Sequence, residues 1–184
     1  MRLTVKVLWL LLILYTLIHL SFFNQGMSKL VDLMRFDADP LIIMVFNLMG
    51  LIPLAFLIYA LILNVPRKHY VLIGLGFLTG AFSLAGFLLL HAESPVKKQT
   101  MITKCLSYFG LIGSMIIIVY GVIYGDIRAY YEAFLTDSFI HIMTIDFIVL
   151  NVLLIITMRK HHLNPFIEWV PVVGFYQWLL KIKQ

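Results

Sequence analysis

The chain of 184 residues is 62% hydrophobic and only 12% charged, and its mean hydropathy is +0.99. A soluble domain carries about 25% charged residues, so this composition excludes the soluble globular class and predicts a bundle of membrane-spanning helices. The net charge of +5 comes from Lys and Arg scattered through short loops, which argues against a nucleic-acid partner, and the single cysteine, Cys105, excludes an intrachain disulfide.

Apolar segments along the chain predict an all-α integral membrane protein, a bundle of six transmembrane helices in one domain over residues 1–184. The predicted spans are residues 3–23, 40–64, 70–91, 105–125, 138–158 and 165–181. The first also fits a signal peptide, but its apolar run exceeds the roughly 15 residues of a signal core and no A-x-A site follows. The last is short, which leaves five spans as the alternative. Residues 24–39 and 126–137 predict short interfacial loop helices.

Glycine and proline mark the second and third spans. In FNLMGLIP, Asn47 is a buried amide, Gly50 permits close backbone approach, and Pro53 is expected to kink the helix. Gly76 and Gly80 of the third span form a G-x-x-x-G pair. Such a face packs closely against a neighbouring helix, in this chain or in a membrane protein partner.

The fifth span carries Asp146 near its middle. A carboxylate facing hydrocarbon there costs at least about 2.5 kcal/mol, so Asp146 is expected to face protein or water and is the first candidate functional residue. Helical periodicity places His141 and Asn151 on the opposite face, so we expect this helix at the centre of the bundle. The estimated depth of Asp146 in the membrane matches that of Thr79. Asn47 lies nearer in depth to Asn151, which predicts an Asn47–Asn151 pair.

Charge does not orient the six-span arrangement, because Lys and Arg divide seven to seven between its two sides. If the last segment does not span, the division becomes five to nine and places the C-terminus in the cytoplasm. The predicted orientation therefore depends on that one segment.

No metal, haem or other cofactor is predicted. Four histidines fall toward one side of the six-span arrangement with Glu168 close by, and they are His19, His91, His161 and His162. Their spacing matches neither H-x-x-x-H nor H-E-x-x-H. The sequence also contains no Gly-rich phosphate loop and no G-x-S-x-G elbow.

Three stretches together carry a resemblance: FNLMGLIP, DSFIHIMTIDFIVL and the closing VPVVGFYQWLLKIK. They resemble a group of small multispanning membrane proteins of bacteria and chloroplasts that is known as a domain of unknown function. Its members show an Asn-x-x-Gly-x-x-Pro helix, an Asp in a later helix and a final Pro-x-x-Gly span. Phe175 departs from the pattern, where a second Pro often follows the final glycine. The resemblance implies a helical membrane protein, expected in a bacterial plasma membrane, and supplies no activity.

Three functions are compatible with these features. The first is non-enzymatic: binding or transport of a small apolar or weakly charged ligand in an interior lined by Asp146, Asn151, Asn47 and Thr79. The second is an intramembrane enzyme acting on a lipid or isoprenoid, with Asp146 as acid or base and Tyr120 or His141 assisting. The third is a structural subunit that packs through its glycine faces, in which Asp146 only bonds to a neighbouring group.

Overall fold

Helices make up the fold of this protein, in a computed structural model that describes residues 2–23, 28–35, 37–90, 99–159 and 170–182. The helices of these residues, in chain order, are α1 (Arg2–Phe22), α2 (Ser28–Met34), α3 (Pro40–Leu63), α4 (Lys68–Thr79), α5 (Ala81–Leu90), α6 (Met101–Tyr124), α7 (Ile127–Thr136), α8 (Ser138–Arg159) and α9 (Pro171–Lys181). The short helices α2 and α7 form within the two segments predicted as loop helices.

The long helices α1, α3, α6 and α8 have the length and composition of transmembrane helices. They contain 21 to 24 residues each, which at 1.5 Å per residue gives about 31 to 36 Å, enough for a hydrocarbon core of roughly 30 Å. Their outward faces are apolar: Leu17 of α1 is 59% exposed and Ile116 of α6 is 63% exposed. A water-soluble protein rarely exposes such a continuous apolar surface, so the fold suits an integral membrane protein.

The prediction of a single spanning helix over residues 70–91 is wrong. The segment breaks at Gly80, whose φ of 57° lies in the left-handed region, and α5 folds back along α4. The Leu84 side chain lies against Gly76, and the rings of His69 and Phe87 are 6.2 Å apart. In a straight helix these two rings would be separated by about 27 Å. Residues 68–90 therefore form a helical hairpin that begins and ends at the same end of the bundle.

This α4–α5 hairpin reverses the direction of the later long helices, α6 and α8, relative to a six-span arrangement. Helix α6 begins at the end of the bundle where α3 ends, and it runs antiparallel to α3, as the 3.0 Å hydrogen bond from the Asp126 N–H to Asp39 Oδ2 demonstrates. Helix α8 runs antiparallel to α1, because the rings of His19 and His141 stack at 4.2 Å. The prediction of six spans, which requires successive helices to alternate in direction, is therefore wrong.

Charged residues separate between the two ends of the bundle. The end where α1 begins, here called the basic end, carries only basic residues in the described chain: Arg2, Lys6, Arg67, Lys68, Lys104, Arg159 and Lys181. The opposite end, here called the acidic end, carries Asp32, Asp37, Asp39, Asp126, Glu132 and Asp137 together with Lys29, Arg35 and Arg128. Three of these acids cap helix starts, since Asp39 caps α3, Asp126 caps α7 and Asp137 caps α8.

The last predicted span, residues 165–181, contains the 11-residue helix α9, while residues 165–169 lie outside the described part. Helix α9 measures about 16 Å, roughly half of a hydrocarbon core. It packs against α3, α6 and α8, and the Tyr176 hydroxyl donates a 2.6 Å hydrogen bond to the Leu51 carbonyl in the middle of α3. Its last turn meets the start of α6, where Gln99 donates to the Leu179 carbonyl. Helix α9 thus extends from mid-bundle depth to the basic end.

Helix α8 lies at the centre of the fold, as its two polar faces predict. It packs against α1, α2, α3, α5, α7 and α9. Its buried residues include Asp146, which is 4% exposed, and Leu150 and Leu153, which are fully buried. Asp146 is therefore enclosed by neighbouring helices, which removes the cost of placing a carboxylate in lipid.

Candidate ligand-binding cavity

A cavity of about 570 Å³ lies in the acidic half of the bundle. Helices α1, α3 and α8 form its walls, and the tip of the α4–α5 hairpin forms its floor. Four residues with polar side chains line it, one from each wall and one from the floor: Thr16, Asn47, Asp146 and Thr79. Three of these, Asn47, Asp146 and Thr79, are candidates from the sequence, and the fold brings them to one space.

The hairpin explains why the cavity exists. In the basic half, α5 packs against α1 and α4 packs against α3, so the hairpin fills the space between the two long helices. Because the hairpin turns back at Gly80, nothing from it continues into the acidic half, and the gap between α1 and α3 persists there. The rim of this gap is apolar and exposed: Phe46 is 43%, Phe77 50% and Leu78 85% exposed. The mouth therefore opens on the side of the bundle.

Asp146 lines the cavity and is hydrogen-bonded to the tip of the hairpin. Its Oδ1 accepts a 2.9 Å hydrogen bond from the Ala81 N–H, the first backbone donor of α5. Such N-terminal N–H groups have no partner within their own helix and lie at the positive end of the helix dipole, so a carboxylate stabilises them. A Cβ at Gly80 would overlap Asp146 Oδ2, so the close approach requires glycine. The Asp146 side chain also lines the cavity. No described residue donates a hydrogen bond to its second oxygen, Oδ2.

The predicted pair of Asn47 and Asn151 is wrong. The Asn47 amide donates to the Ile43 carbonyl at 2.8 Å, and the Asn151 amide donates to the Phe147 carbonyl at 2.7 Å, each within its own helix. The hairpin makes α3 and α8 parallel, so that Asn151 lies six residues, or about 9 Å, deeper from the acidic end than Asn47. The same change places Asn47 at the depth of Asp146, and both line the cavity, whereas Asn151 does not.

The two threonines of the cavity differ in their hydrogen bonds. Thr79 Oγ1 donates to the Leu75 carbonyl at 3.0 Å and lies 2.6 Å from Ser83 Oγ, so these hydroxyls bridge the two arms of the hairpin. Thr16 Oγ1 is buried and has no hydrogen-bond partner among the described residues. Sequence reasoning did not select Thr16; its polarity within the first apolar span was the only signal.

His141 belongs to an aromatic stack on the other face of α8. Its ring lies 4.2 Å from that of His19 and 4.1 Å from that of Phe134. Nδ1 lies 2.9 Å from the Phe134 carbonyl, and Nε2 lies 2.5 Å from the Tyr15 hydroxyl. Because a carbonyl only accepts, the neutral ring carries its proton on Nδ1 and Nε2 accepts from Tyr15. His141 does not line the cavity.

Tyrosines beyond the cavity occupy the surface near the acidic end. Tyr120 is 42% exposed on α6, its ring lies 5.6 Å from that of Tyr124, and it does not line the cavity. Tyr130 of α7 shares a 2.6 Å hydrogen bond with Thr144, and burial raises the pKa of its phenol above the usual value. Tyrosines at such positions suit the boundary between lipid and water.

The glycine and proline candidates have different surroundings from those expected. A Cβ at Gly50 would meet no atom within 4 Å, so Gly50 borders the cavity and makes no close helix contact. Gly76 contacts Leu84 of its own hairpin, so this close contact forms within one chain. Pro53 is buried within α3, two residues after the Leu51 carbonyl that accepts from Tyr176.

The described residues contain no group of three or more His, Cys, Asp or Glu side chains that could hold a metal ion. His91, His161, His162 and Glu168, which were considered for such a site, lie outside the described ranges. Comparison with known proteins finds no matching family model, no similar curated protein and no similar solved structure. The function is therefore inferred from the geometry of the cavity.

Proposed function

We propose that this protein binds a small apolar or weakly charged ligand inside the membrane and passes it between the bilayer and its cavity. The observation that carries the proposal is the cavity of about 570 Å³ with Asp146 in its α8 wall. Small-molecule sites are mostly apolar, with a few polar groups that fix orientation, and this cavity has that composition. Helix breaks at membrane depth are tolerated where they line such a space, as in many transporters.

The arrangement in the membrane follows from the fold and the charges. We infer four spans, α1, α3, α6 and α8, with the α4–α5 hairpin and α9 entering from the basic end. Cytoplasmic loops carry an excess of Lys and Arg, and the described basic residues number seven at the basic end and three at the acidic end. The basic end then faces the cytoplasm, and the cavity opens sideways into the outer half of a plasma membrane.

The two other functions fit the cavity less well. A lipid-directed enzyme would use a second acid or base beside Asp146, but Tyr120 lies on the exposed face of α6 and His141 is bonded to Tyr15. A purely structural subunit is expected to have a solid core around the acid, whereas Asp146 borders an open space. The structural contact to Ala81 uses only one carboxylate oxygen, which leaves the other for a ligand.

A neutral photoactivatable carbene probe, trifluoromethyl-phenyldiazirine, tests the proposal. The purified protein in neutral maltoside micelles is labelled over a range of probe concentrations, and the labelled residues are mapped by mass spectrometry. We expect labelling of Phe139, Ile142 and Met143 to saturate, because a defined cavity has limited capacity. Labelling of the lipid-facing Ile112 and Ile116 is expected to rise in proportion to the probe.

Two glycine variants provide the matched comparison. Gly50→Leu fills the cavity from α3, whereas Gly74→Leu adds the same side chain to an exposed position of α4 outside it. Gly50→Leu should abolish the saturable labelling, and Gly74→Leu should leave it unchanged. Proportional labelling at all five residues in the wild-type protein would contradict a ligand cavity.

A further inference from the structure

The charge and aromatic content of the cavity restrict what it can bind. Asp146 is its only ionisable side chain, and no Lys, Arg or His lines it in the part of the chain that the structure describes. The Asn47 side-chain amide donates one N–H to the Ile43 carbonyl, and its oxygen remains available to accept a hydrogen bond. An anionic head group would meet a carboxylate without a compensating positive charge, which is unfavourable in a low-dielectric site.

Aromatic rings line the same cavity as this acid. Phe46, Phe77, Phe82 and Phe139 line the cavity, and the rings of Phe46 and Phe139 lie 6.5 Å apart across α3 and α8. The face of an aromatic ring carries negative charge and attracts cations within about 6 Å of its centre. A cavity lined by one carboxylate and four phenyl rings is therefore complementary to a positive charge that is itself surrounded by apolar groups.

The acidic end supports the same ligand class. Its described charges comprise six acids and three bases, and a surface of one predominant sign concentrates ligands of the opposite sign nearby. The cavity lies in this half of the bundle and its rim of Phe46, Phe77 and Leu78 is apolar. A molecule that enters this mouth must be soluble in lipid as well as attracted by acids.

We propose that the cavity binds lipophilic organic cations, with Asp146 Oδ2 facing the positive charge and the phenyl rings enclosing the apolar body. This inference rests on the proposed function, since it names the ligand class of the same cavity. Asp146 Oδ1 keeps its bond to Ala81 while the cation binds, so the ligand also stabilises the floor that the hairpin tip provides.

Two ions of nearly equal size and opposite charge form the test. Tetraphenylphosphonium and tetraphenylborate are titrated separately against the saturable diazirine labelling of Phe139, Ile142 and Met143, in micelles of a neutral maltoside. Labelling of Ile112 and Ile116 on the lipid face of α6 corrects for probe lost from the micelle. We expect the cation to displace the cavity labelling at a free concentration at least about tenfold below that of the anion.

Variants separate charge from shape. Asp146→Asn keeps an oxygen that accepts from the Ala81 N–H, so we expect it to fold and to remove the preference for the cation. Asp37→Asn removes an exposed acid outside the cavity and should change little. Phe46→Leu keeps the rim apolar and should weaken cation displacement several-fold, whereas Phe109→Leu on the lipid face of α6 should not.

The outcomes distinguish the two proposals. If the labelling saturates but the anion displaces it as effectively as the cation does, the cavity binds ligands and the cation assignment is wrong. The same conclusion follows if both Asp146→Asn and Phe46→Leu retain the full cation preference. If the cavity labelling never saturates in the wild-type protein, the proposed function fails and the cation assignment fails with it.

Discussion

Asp146 of α8 accepts a 2.9 Å hydrogen bond from the backbone N–H of Ala81, the first residue of α5. The bond crosses between elements 65 residues apart in the chain and holds the tip of the hairpin against the central helix. Since Ala81 is fully buried, water does not readily replace a lost acceptor there. The acid that marks the cavity is thus also the residue that fixes its floor.

Replacing Asp146 by Leu should destabilise the fold. The change leaves the Ala81 N–H buried without an acceptor, which costs about 1 to 3 kcal/mol. Asp146→Asn retains an accepting oxygen at the same position, so its loss should be clearly smaller. Thermal unfolding in detergent, followed by intrinsic fluorescence, measures both. Equal losses for Leu and Asn would mean that the carboxylate's charge, and not its hydrogen bond, holds the hairpin.

Replacing Gly80 by Ala should open the hairpin tip. The residue has a φ of 57°, and an added Cβ would overlap Asp146 Oδ2, so we expect a loss of at least about 1 to 3 kcal/mol from backbone strain alone. Gly50→Ala is the matched control, because its Cβ would meet nothing within 4 Å and alanine favours a helix interior by about 0.5 to 1 kcal/mol. Unfolding temperatures of the two variants should therefore move in opposite directions. A stable Gly80→Ala protein would argue against the tight turn.

Hydropathy was sufficient to predict the all-helical fold and the long helices α1, α3, α6 and α8, which are apolar over enough residues to cross a bilayer. It was not sufficient for residues 68–90, whose composition is equally apolar throughout. Glycine is ordinary in membrane helices, so Gly80 looked like a packing residue, although its positive φ makes it a turn.

The turn at Gly80 also explains why the sequence misplaced Asn47 relative to Asp146 and divided Lys and Arg evenly between the two sides. With a continuous third span, Asn47 and Asp146 are assigned different depths and Lys and Arg divide evenly between the two sides. With the hairpin, both residues line one cavity and the basic residues collect at one end. The sequence predicted that Asp146 faces protein or water, and its side chain is 4% exposed. The hydrogen-bond partner of Asp146 is a backbone N–H, which no side-chain pattern reveals.

Cysteine labelling should locate the two ends of the hairpin on one side of the membrane. In a Cys105→Ser background, single cysteines replace the exposed residues Lys68, Met101 and Arg128, and intact cells receive a membrane-impermeant maleimide. We expect labelling of Arg128→Cys in intact cells and of Lys68→Cys and Met101→Cys only after permeabilisation. If Lys68→Cys instead reacts together with Arg128→Cys, residues 70–91 span the membrane and the hairpin topology is wrong.

Replacing Gly110 by Ala should loosen α9. A Cβ at this position of α6 would overlap the buried ring of Tyr176, and overpacking of this kind costs about 1 to 3 kcal/mol. Gly113→Ala, one turn further along α6, is the control, since its Cβ would lie 4.0 Å from the nearest neighbouring atom, Leu51 Cδ1. Thermal unfolding should therefore separate the two variants by several degrees.

A double variant shows whether the cost at Gly110 arises from Tyr176. Tyr176→Leu removes the ring but also the 2.6 Å hydrogen bond to the Leu51 carbonyl, so alone it should destabilise the fold. In the presence of Tyr176→Leu, the added methyl group of Gly110→Ala has room, and its further cost should fall to near zero. The interaction free energy of this cycle should thus be comparable to the cost of Gly110→Ala alone. Additive losses would mean that α9 does not rest on α6 at this glycine, and that its position at half-bilayer depth needs another support.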